Sequence, residues 1–308
     1  MSNEPGAGPP PPSKARTFVR RLASTSILWT VVLVALFSGN RTLSDSFFLL
    51  ILSALTWTGL TEFFGLAGKT GLISFPVWGV SCGLLLIVGT HMHLHGWLGI
   101  SGAPARVNDF ETSLLIVFVL GLCVRQFLRH ELGRAIAAVS TTLFGVMYIP
   151  WLLNFIQKIN FFPGIEGTWY VLYFIVVTKA SDVGAYCVGS LIGRHKMIPR
   201  VSPGKTWEGF GGALAVSVGV SLLFARLASA HLVGMAPIHA VALGLLLGAS
   251  AVVGDLIESI FKREAGVKDS GGFFPGIGGV LDLLDSLLFN APLMYLYLRH
   301  ILTHPTTA

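Results

Sequence analysis

Long apolar runs follow one another through this sequence and constrain its fold more than any other feature. Nine stretches come near the roughly 20 apolar residues that one helix needs to cross a bilayer. They centre on residues 22–39, 45–66, 71–91, 112–128, 135–156, 168–192, 209–228, 237–257 and 283–302. The runs lack the period-two alternation of membrane barrel strands, and they therefore predict helices. We expect an all-α polytopic integral membrane protein with about nine transmembrane helices.

The composition supports a membrane protein and argues against several other classes. Of the 308 residues, 53% are hydrophobic and 12% are charged, whereas roughly a quarter of a soluble domain is charged. The net charge of +6 does not indicate nucleic acid, because basic residues of membrane proteins collect on cytoplasmic loops. The three cysteines form no CxxC pair, which argues against a disulfide framework and against a zinc site.

The distribution of basic residues predicts an orientation. With the N-terminus in the cytoplasm, 15 of the 21 Lys and Arg residues fall in inside segments, 5 fall outside and Lys179 lies within a span. This bias predicts a cytoplasmic N-terminus and an outside C-terminus in a multi-pass protein of the cell (inner) membrane. It places loops 193–208 and 258–280 together on the cytoplasmic side, where we expect the active site. The Pro-rich residues 1–13 predict a disordered cytoplasmic tail.

Polar chemistry is concentrated in the second half of the chain. We therefore divide the sequence after the tail into N-terminal transmembrane helices, 14–160, and a C-terminal catalytic transmembrane region, 161–308. Glu62 is an exception in the first half, and either faces a polar cavity or lies near the membrane interface. Three alternate histidines at 91–95 have no acidic or cysteine neighbour, so we interpret them as a solvated loop rather than a metal site.

The stretch 255–286 places carboxylates at both ends of a loop. Asp255 and Glu258 lie one helical turn apart before the loop, and Asp282 and Asp285 lie one turn apart after it. Acids beside a bilayer are costly and indicate a function. Hard oxygen ligands without His or Cys suit Mg²⁺ better than zinc or copper. The two pairs therefore predict two faces that meet around a divalent cation.

The loop between these acids is basic and rich in glycine. Its cations and glycines are Lys262, Arg263, Lys268, Gly271, Gly272, Gly276, Gly278 and Gly279. Cations offset phosphate charge, and glycines let the backbone approach a ligand closely. The whole stretch predicts a site for a nucleotide phosphate chain with Mg²⁺. A solvated loop with snorkelling lysines is the plainer interpretation, but it does not explain acids that flank apolar runs.

Two segments before this loop add polar residues. Lys179 and Asp182 share one helical face, and they form either a structural ion pair or part of a polar cavity with the later acids. The GKT at 204–206 resembles the end of a P-loop, but Pro199 stands where that pattern needs Gly, so we reject a P-loop. What remains is a basic loop that enters a helix with Ser202 as its N-cap, beside which Lys205 would favour phosphate.

These segments resemble one family. The run SIFKREAGVKDSGGFFPGIGGVLDLLD at 259–285 is similar to the pattern S-x-x-K-R-x4-K-D-x-G-x3-P-G-H-G-G-x-x-D-R-x-D of the phosphatidate cytidylyltransferase (CDP-diacylglycerol synthase) family. SPGKTWEG at 202–209 resembles the S-P-x-K-T-W-E-G of that family, and DVGAY at 182–186 resembles its D-x-x-A-Y segment. The three matches cover the C-terminal half in the expected order.

The resemblance implies the condensation of CTP with phosphatidic acid, which gives CDP-diacylglycerol and pyrophosphate in phospholipid biosynthesis. It also implies Mg²⁺, together with a monovalent cation such as K⁺, held by Asp255 and Asp282, and it suggests a homodimer in the lipid bilayer. With the residue pattern, it gives as catalytic candidates Asp255, Asp282, Asp285, Lys262, Lys268 and Asp269. The substrate-binding candidates are Ser202, Lys205, Thr206, Arg263, Asp182, Gly278 and Gly279.

Two positions depart from the family pattern. Ile277 replaces a histidine and Leu283 replaces an arginine, so the chain loses a titratable group and a permanent cation. A slower enzyme, an enzyme for another lipid phosphate and an inactive paralogue all remain open. We favour a working enzyme because the carboxylates and the other basic residues are present. A transporter with buried acids is an alternative of another class, but it would not need the long basic loop.

Overall fold

A computed structural model describes residues 14–96, 104–129, 133–272 and 278–302. Its α-helices are α1 Lys14–Phe37, α2 Arg41–Lys69, α3 Pro76–Leu94, α4 Pro104–Arg129, α5 Ala135–Val146, α6 Leu152–Asn160, α7 Gly167–Ile192, α8 Trp207–Leu227, α9 Pro237–Glu264 and α10 Val280–Tyr297. Short π-helices cover Met147–Trp151 and Leu298–Leu302, and two strands, β1 Lys196–Ile198 and β2 Ser202–Thr206, form a hairpin. The predicted tail at 1–13 and Ile277 lie outside the described residues.

The helices confirm the prediction of an all-α polytopic membrane protein. Eight helical segments of the described chain are long and apolar enough to cross a membrane, and α1 adds the shorter apolar stretch Ala23–Phe37. Together they correspond to the nine predicted runs. Helices α5 and α6 belong to one span, Ala135–Asn160, which the π-helix between them interrupts at Pro150. Proline has no N–H to donate to the helical ladder, which explains the local widening. The orientation of the termini stays a prediction.

Helices α7–α10 pack together and form the part of the fold that carries the site. Helices α7 and α8 approach closely because glycines face each other across their interface. A Cβ atom added to Gly212 would lie 2.9 Å from the carbonyl oxygen of Gly184 and 2.5 Å from the Cβ of Val188. Small residues permit this close approach between membrane helices.

The segment before α8 is a hairpin rather than a simple loop. Strands β1 and β2 pair antiparallel, with Lys196 opposite Thr206 and Ile198 opposite Ser202. The prediction that Ser202 caps the helix is therefore wrong, because Ser202 begins β2. Thr206 is the N-cap, and its Oγ1 accepts a hydrogen bond from the Gly209 N–H at 3.1 Å. The strand pairing moves the start of the helix four residues along the chain.

A buried polar network joins α3, α4 and α6. The Lys158 ammonium lies 2.5 Å from the Glu111 carboxylate, which also accepts a hydrogen bond from Asn154 at 2.6 Å. Gln157, in the same helix, lies 3.1 Å from Nδ1 of His91. His91 is buried within α3, so the interpretation of the alternate histidines as a solvated loop is wrong for this residue. Its polar ring is stabilised in the interior by the Gln157 amide.

The helix contact at Gly212 makes a testable prediction with a matched control. We expect Gly212→Ala to destabilise the protein by about 1–3 kcal/mol because the new methyl group meets backbone and side-chain atoms of α7. Gly211→Ala adds the same methyl group one residue earlier, where no atom lies within 4 Å, and should be neutral or slightly stabilising. Thermal unfolding of both variants in detergent measures the difference. Equal melting temperatures would contradict the packing argument.

Candidate functional site

Helices α7, α8, α9 and α10 and the hairpin enclose a polar cavity of about 640 Å³. All of the predicted catalytic residues line this cavity, as do all of the predicted substrate-binding residues except Gly278 and Gly279. The cavity therefore brings together the three segments that the sequence separated, 182–186, 202–209 and 255–285. The two glycines lie just before α10, where the Gly279 N–H donates to Asp282.

A cluster of three carboxylates lies in this cavity region. Oxygen atoms of Asp255, Glu258 and Asp285 all lie within 4.8 Å of one another. Glu258 is fully buried, and its Oε1 has no hydrogen-bond partner among the described residues. A buried carboxylate oxygen without a partner is costly. A bound divalent cation would satisfy that oxygen and reduce the repulsion within the cluster, so these residues fit the predicted Mg²⁺.

Asp282 has a different set of contacts. Its Oδ1 lies 2.6 Å from the Lys262 ammonium, and its Oδ2 accepts hydrogen bonds from the Gly279 N–H at 2.7 Å and from both the N–H and the hydroxyl of Ser270. These bonds cap α10 and attach the preceding loop to it. The sequence predicted Asp255 and Asp282 as metal ligands, whereas the described geometry places Glu258 and Asp285 beside Asp255. The ligand assignment itself stays a prediction.

Lysines balance part of the negative charge. Lys205 lies 2.8 Å from Asp255, and Lys262 bridges Glu258 at 2.5 Å and Asp282 at 2.6 Å. On α7, the Lys179 ammonium lies 3.3 Å from Asp182. With Asp285, five carboxylates thus meet three ammonium groups. Acids crowded in this way repel one another, and a bound divalent cation would reduce the repulsion.

The remaining cations lie toward the hairpin and the loop. Arg263 donates from Nε to the carbonyl oxygen of Val201 at 3.0 Å and from Nη1 to that of Val267 at 3.2 Å, so it joins the end of α9 to the hairpin. Lys268 and Asp269 are exposed at the cavity. Arg263 and Lys268 can therefore meet an anionic ligand that enters from solvent.

Glu62 is a residue whose position the sequence left open. It reaches from α2 to the start of α10, where its carboxylate accepts hydrogen bonds from the N–H groups of Val280 and Leu281 at 3.0 and 2.9 Å. Its Oε2 also lies 3.0 Å from the Ser270 hydroxyl, whose single proton Glu62 shares with Asp282. The negative charge therefore lies at a helix N-terminus, where the helix dipole stabilises it. A carboxylate within the long apolar stretch of α2 was the signal for this role.

Known proteins resemble the chain over most of its length. The model of the cytidylyltransferase family matches residues 19–301. The chain is 32% identical over 264 residues to "Uncharacterized protein YnbB" of Escherichia coli, across 82% of this chain and 83% of that protein. It is 32% identical over 285 residues to a phosphatidate cytidylyltransferase of Haemophilus influenzae, across 89% and 96% of the two chains. A phosphatidate cytidylyltransferase of Mycobacterium bovis is 38% identical over 159 residues, which are 52% of this chain and 50% of that relative.

The Glu62 contacts generate a prediction about local stability. We expect Glu62→Gln to speed amide hydrogen exchange at Val280 and Leu281 by about tenfold, because the amide side chain has one acceptor oxygen and no charge. Hydrogen exchange followed by mass spectrometry measures the rate. Glu264→Gln removes a carboxylate at the exposed end of α9 and should leave these two amides unchanged. Unaltered exchange in Glu62→Gln would contradict the capping role.

Proposed function

The chain belongs to the cytidylyltransferase family and is a membrane-embedded nucleotidyltransferase, and we propose that it transfers the cytidylyl group of CTP to phosphatidic acid. The products would be CDP-diacylglycerol and pyrophosphate. The observation that carries this proposal is the single polar cavity in which the segments 182–186, 202–209 and 255–285 meet. Each of these segments resembles the corresponding family pattern, and relatives named phosphatidate cytidylyltransferase align with most or about half of this chain.

The cavity suits a nucleoside triphosphate with a divalent cation. Asp255, Glu258 and Asp285 would hold Mg²⁺, which, when bound, offsets the charge of the triphosphate and of the leaving pyrophosphate. The resemblance to the phosphatidate cytidylyltransferase family also suggests a monovalent cation such as K⁺ together with the Mg²⁺. Lys205 and Lys262 lie among these acids, whereas Arg263 and Lys268 lie closer to solvent. The cations at the outer part of the cavity would bind the β- and γ-phosphates.

The chemistry requires positioning rather than a protein nucleophile. The phosphate of phosphatidic acid is already ionised, so one of its oxygens can attack the α-phosphorus of CTP directly. That oxygen forms a new P–O bond, and the bond from the α-phosphorus to the oxygen bridging the β-phosphorus breaks in line. Pyrophosphate leaves with the bonding electrons. Lys262 is fixed by Glu258 and Asp282 and can thereby keep its charge close to the transferred group.

Two departures from the family pattern bear on the substrate. Leu283 lines an apolar cavity beside the polar one, so the chain has no arginine side chain at this position. Ile277 lies outside the described residues. We propose that the enzyme is active with phosphatidic acid as its acceptor. The alternative acceptor is another lipid phosphate, and an assay with several lipids distinguishes the two. No observation favours the transporter alternative. The cytoplasmic position of the cavity and a homodimer also belong to this proposal.

The proposed reaction has a direct assay. We expect purified protein with Mg²⁺ to incorporate radiolabelled CTP into a chloroform-soluble product when phosphatidic acid is present, and to release pyrophosphate in equal amount. Asp282→Ala, which loses the cap of α10 and the partner of Lys262, is the negative control. A panel of other anionic lipid phosphates identifies an altered acceptor. No incorporation above the control with any lipid would refute the proposed function.

The metal ligands make a separate prediction. We expect Asp255→Asn and Asp285→Asn each to lower turnover by roughly 100-fold or more, because each removes a charge from the carboxylate cluster. Glu264→Gln, which changes an exposed acid on the same helix as Asp255, should retain full turnover. Titration of activity with Mg²⁺ after removal of divalent cations by a chelator measures metal dependence. An Asp285→Asn variant with the Mg²⁺ dependence of the unaltered protein would exclude Asp285 as a ligand.

A further inference from the structure

A second cavity, of about 410 Å³, lies between α1, α2, α7 and α10. Its lining is almost entirely apolar and includes Leu36, Leu52, Leu55, Val171, Ile175 and Leu287. Two further lining residues, Val31 on α1 and Val183 on α7, are 42% and 60% exposed. These helices are membrane-spanning or apolar, so the exposed edge of the cavity faces lipid rather than water. We call this cavity the apolar groove.

The apolar groove lies directly beside the polar cavity. Lys179, Asp182 and Asp282 line both of them. Among these three border residues, Lys179 is the cation. Its ammonium group lies near the middle of α7, in a membrane-spanning segment, where a charge persists only with polar partners or a functional reason.

The ion pair of Lys179 is longer than the ion pairs of Lys205 and Lys262. Its ammonium lies 3.3 Å from Asp182, 3.1 Å from the Ser286 hydroxyl and 3.2 Å from the Leu283 carbonyl oxygen. Lys205 and Lys262, by contrast, lie 2.5–2.8 Å from their carboxylate partners. Charge-assisted hydrogen bonds normally fall near the shorter distances. The ammonium is therefore held at the border by α7 and α10 through three contacts, and an anionic ligand would replace one of these partners.

We propose that Lys179 binds the phosphate of the lipid substrate and that one acyl chain of that lipid lies in the apolar groove. This inference rests on the proposed function and adds the lipid subsite to it. A lipid phosphate joins an anion to an apolar chain, so its site needs a cation where a polar cavity meets an apolar one. Lys179 is in that position. The Asp182 carboxylate holds the ammonium there and offsets its charge before the lipid arrives.

The departure at Leu283 agrees with this assignment. Where the similar family pattern has arginine, this chain directs a leucine side chain into the apolar groove and offers the backbone carbonyl of the same residue to Lys179. On the side of α10 that borders the apolar groove, a positive charge thus comes from α7, in addition to that of Lys262 beside Asp282. Loss of the arginine on α10 need not remove the cation from the lipid side of the site.

Kinetics in mixed micelles test Lys179. We expect Lys179→Met to raise the apparent KM for phosphatidic acid about tenfold or more, with the KM for CTP changed less than twofold, because a charge-assisted hydrogen bond to phosphate is lost. Lys179→Arg should restore most of the lipid affinity. Lys196→Met changes an exposed lysine of β1 that lines neither cavity, and should alter neither constant. An unchanged lipid KM in Lys179→Met would overturn the assignment.

Photolabelling of the unaltered protein tests the groove without turnover. We expect phosphatidic acid with a diazirine on one acyl chain, added without CTP, to label peptides of α1, α2, α7 or α10. Unlabelled phosphatidic acid should compete, and neutral diacylglycerol should not. Labelling at these helices by a protein that makes no CDP-diacylglycerol would refute the proposed function and support the lipid subsite. A protein that makes the product but is labelled elsewhere would refute the subsite alone.

Discussion

Ion pairs between lysines and carboxylates hold this site together where the membrane-spanning helices α7 to α10 and the hairpin meet. Lys262 is the central member, because it contacts Glu258 on its own helix and Asp282 at the start of α10. Lys205 extends the arrangement to the hairpin through Asp255. Burial of any one of these charges alone would be strongly unfavourable. Pairing with lysines explains how Asp182, Asp255, Glu258 and Asp282 can lie among membrane helices.

Much of the site could be predicted from the sequence because helical periodicity fixes which residues share a face. Acids one turn apart at the ends of α9 and α10 were expected to meet. Asp255, Asp282 and Asp285 line one cavity, and the buried Glu258 lies beside Asp255 and Asp285. The rotation of each helix about its axis could not be predicted in the same way. Asp282 and Asp285 lie on one face, but Asp282 stands in the first turn of α10, where free N–H groups bind its carboxylate. Asp285, one turn deeper, is the acid that joins Asp255.

Features that depend on contacts between residues distant in the sequence could not be predicted either. The pairing of β1 with β2 displaced the predicted helix cap from Ser202 to Thr206, because strand hydrogen bonds compete with local capping preferences. The sequence suggested that His91 is a loop residue, because its partner Gln157 lies in another helix and far along the chain. By contrast, the apolar runs predicted the membrane helices well, since the length and hydropathy of such a run are local properties.

Glu62 has a consequence for how the protein can be divided. The family match runs through both halves of the chain, and one carboxylate of the N-terminal half supports the start of α10 and contacts Ser270. A fragment that began at residue 161 would leave the N–H groups of Val280 and Leu281 without this acceptor. The C-terminal region therefore depends on α2 for the start of one of its own helices.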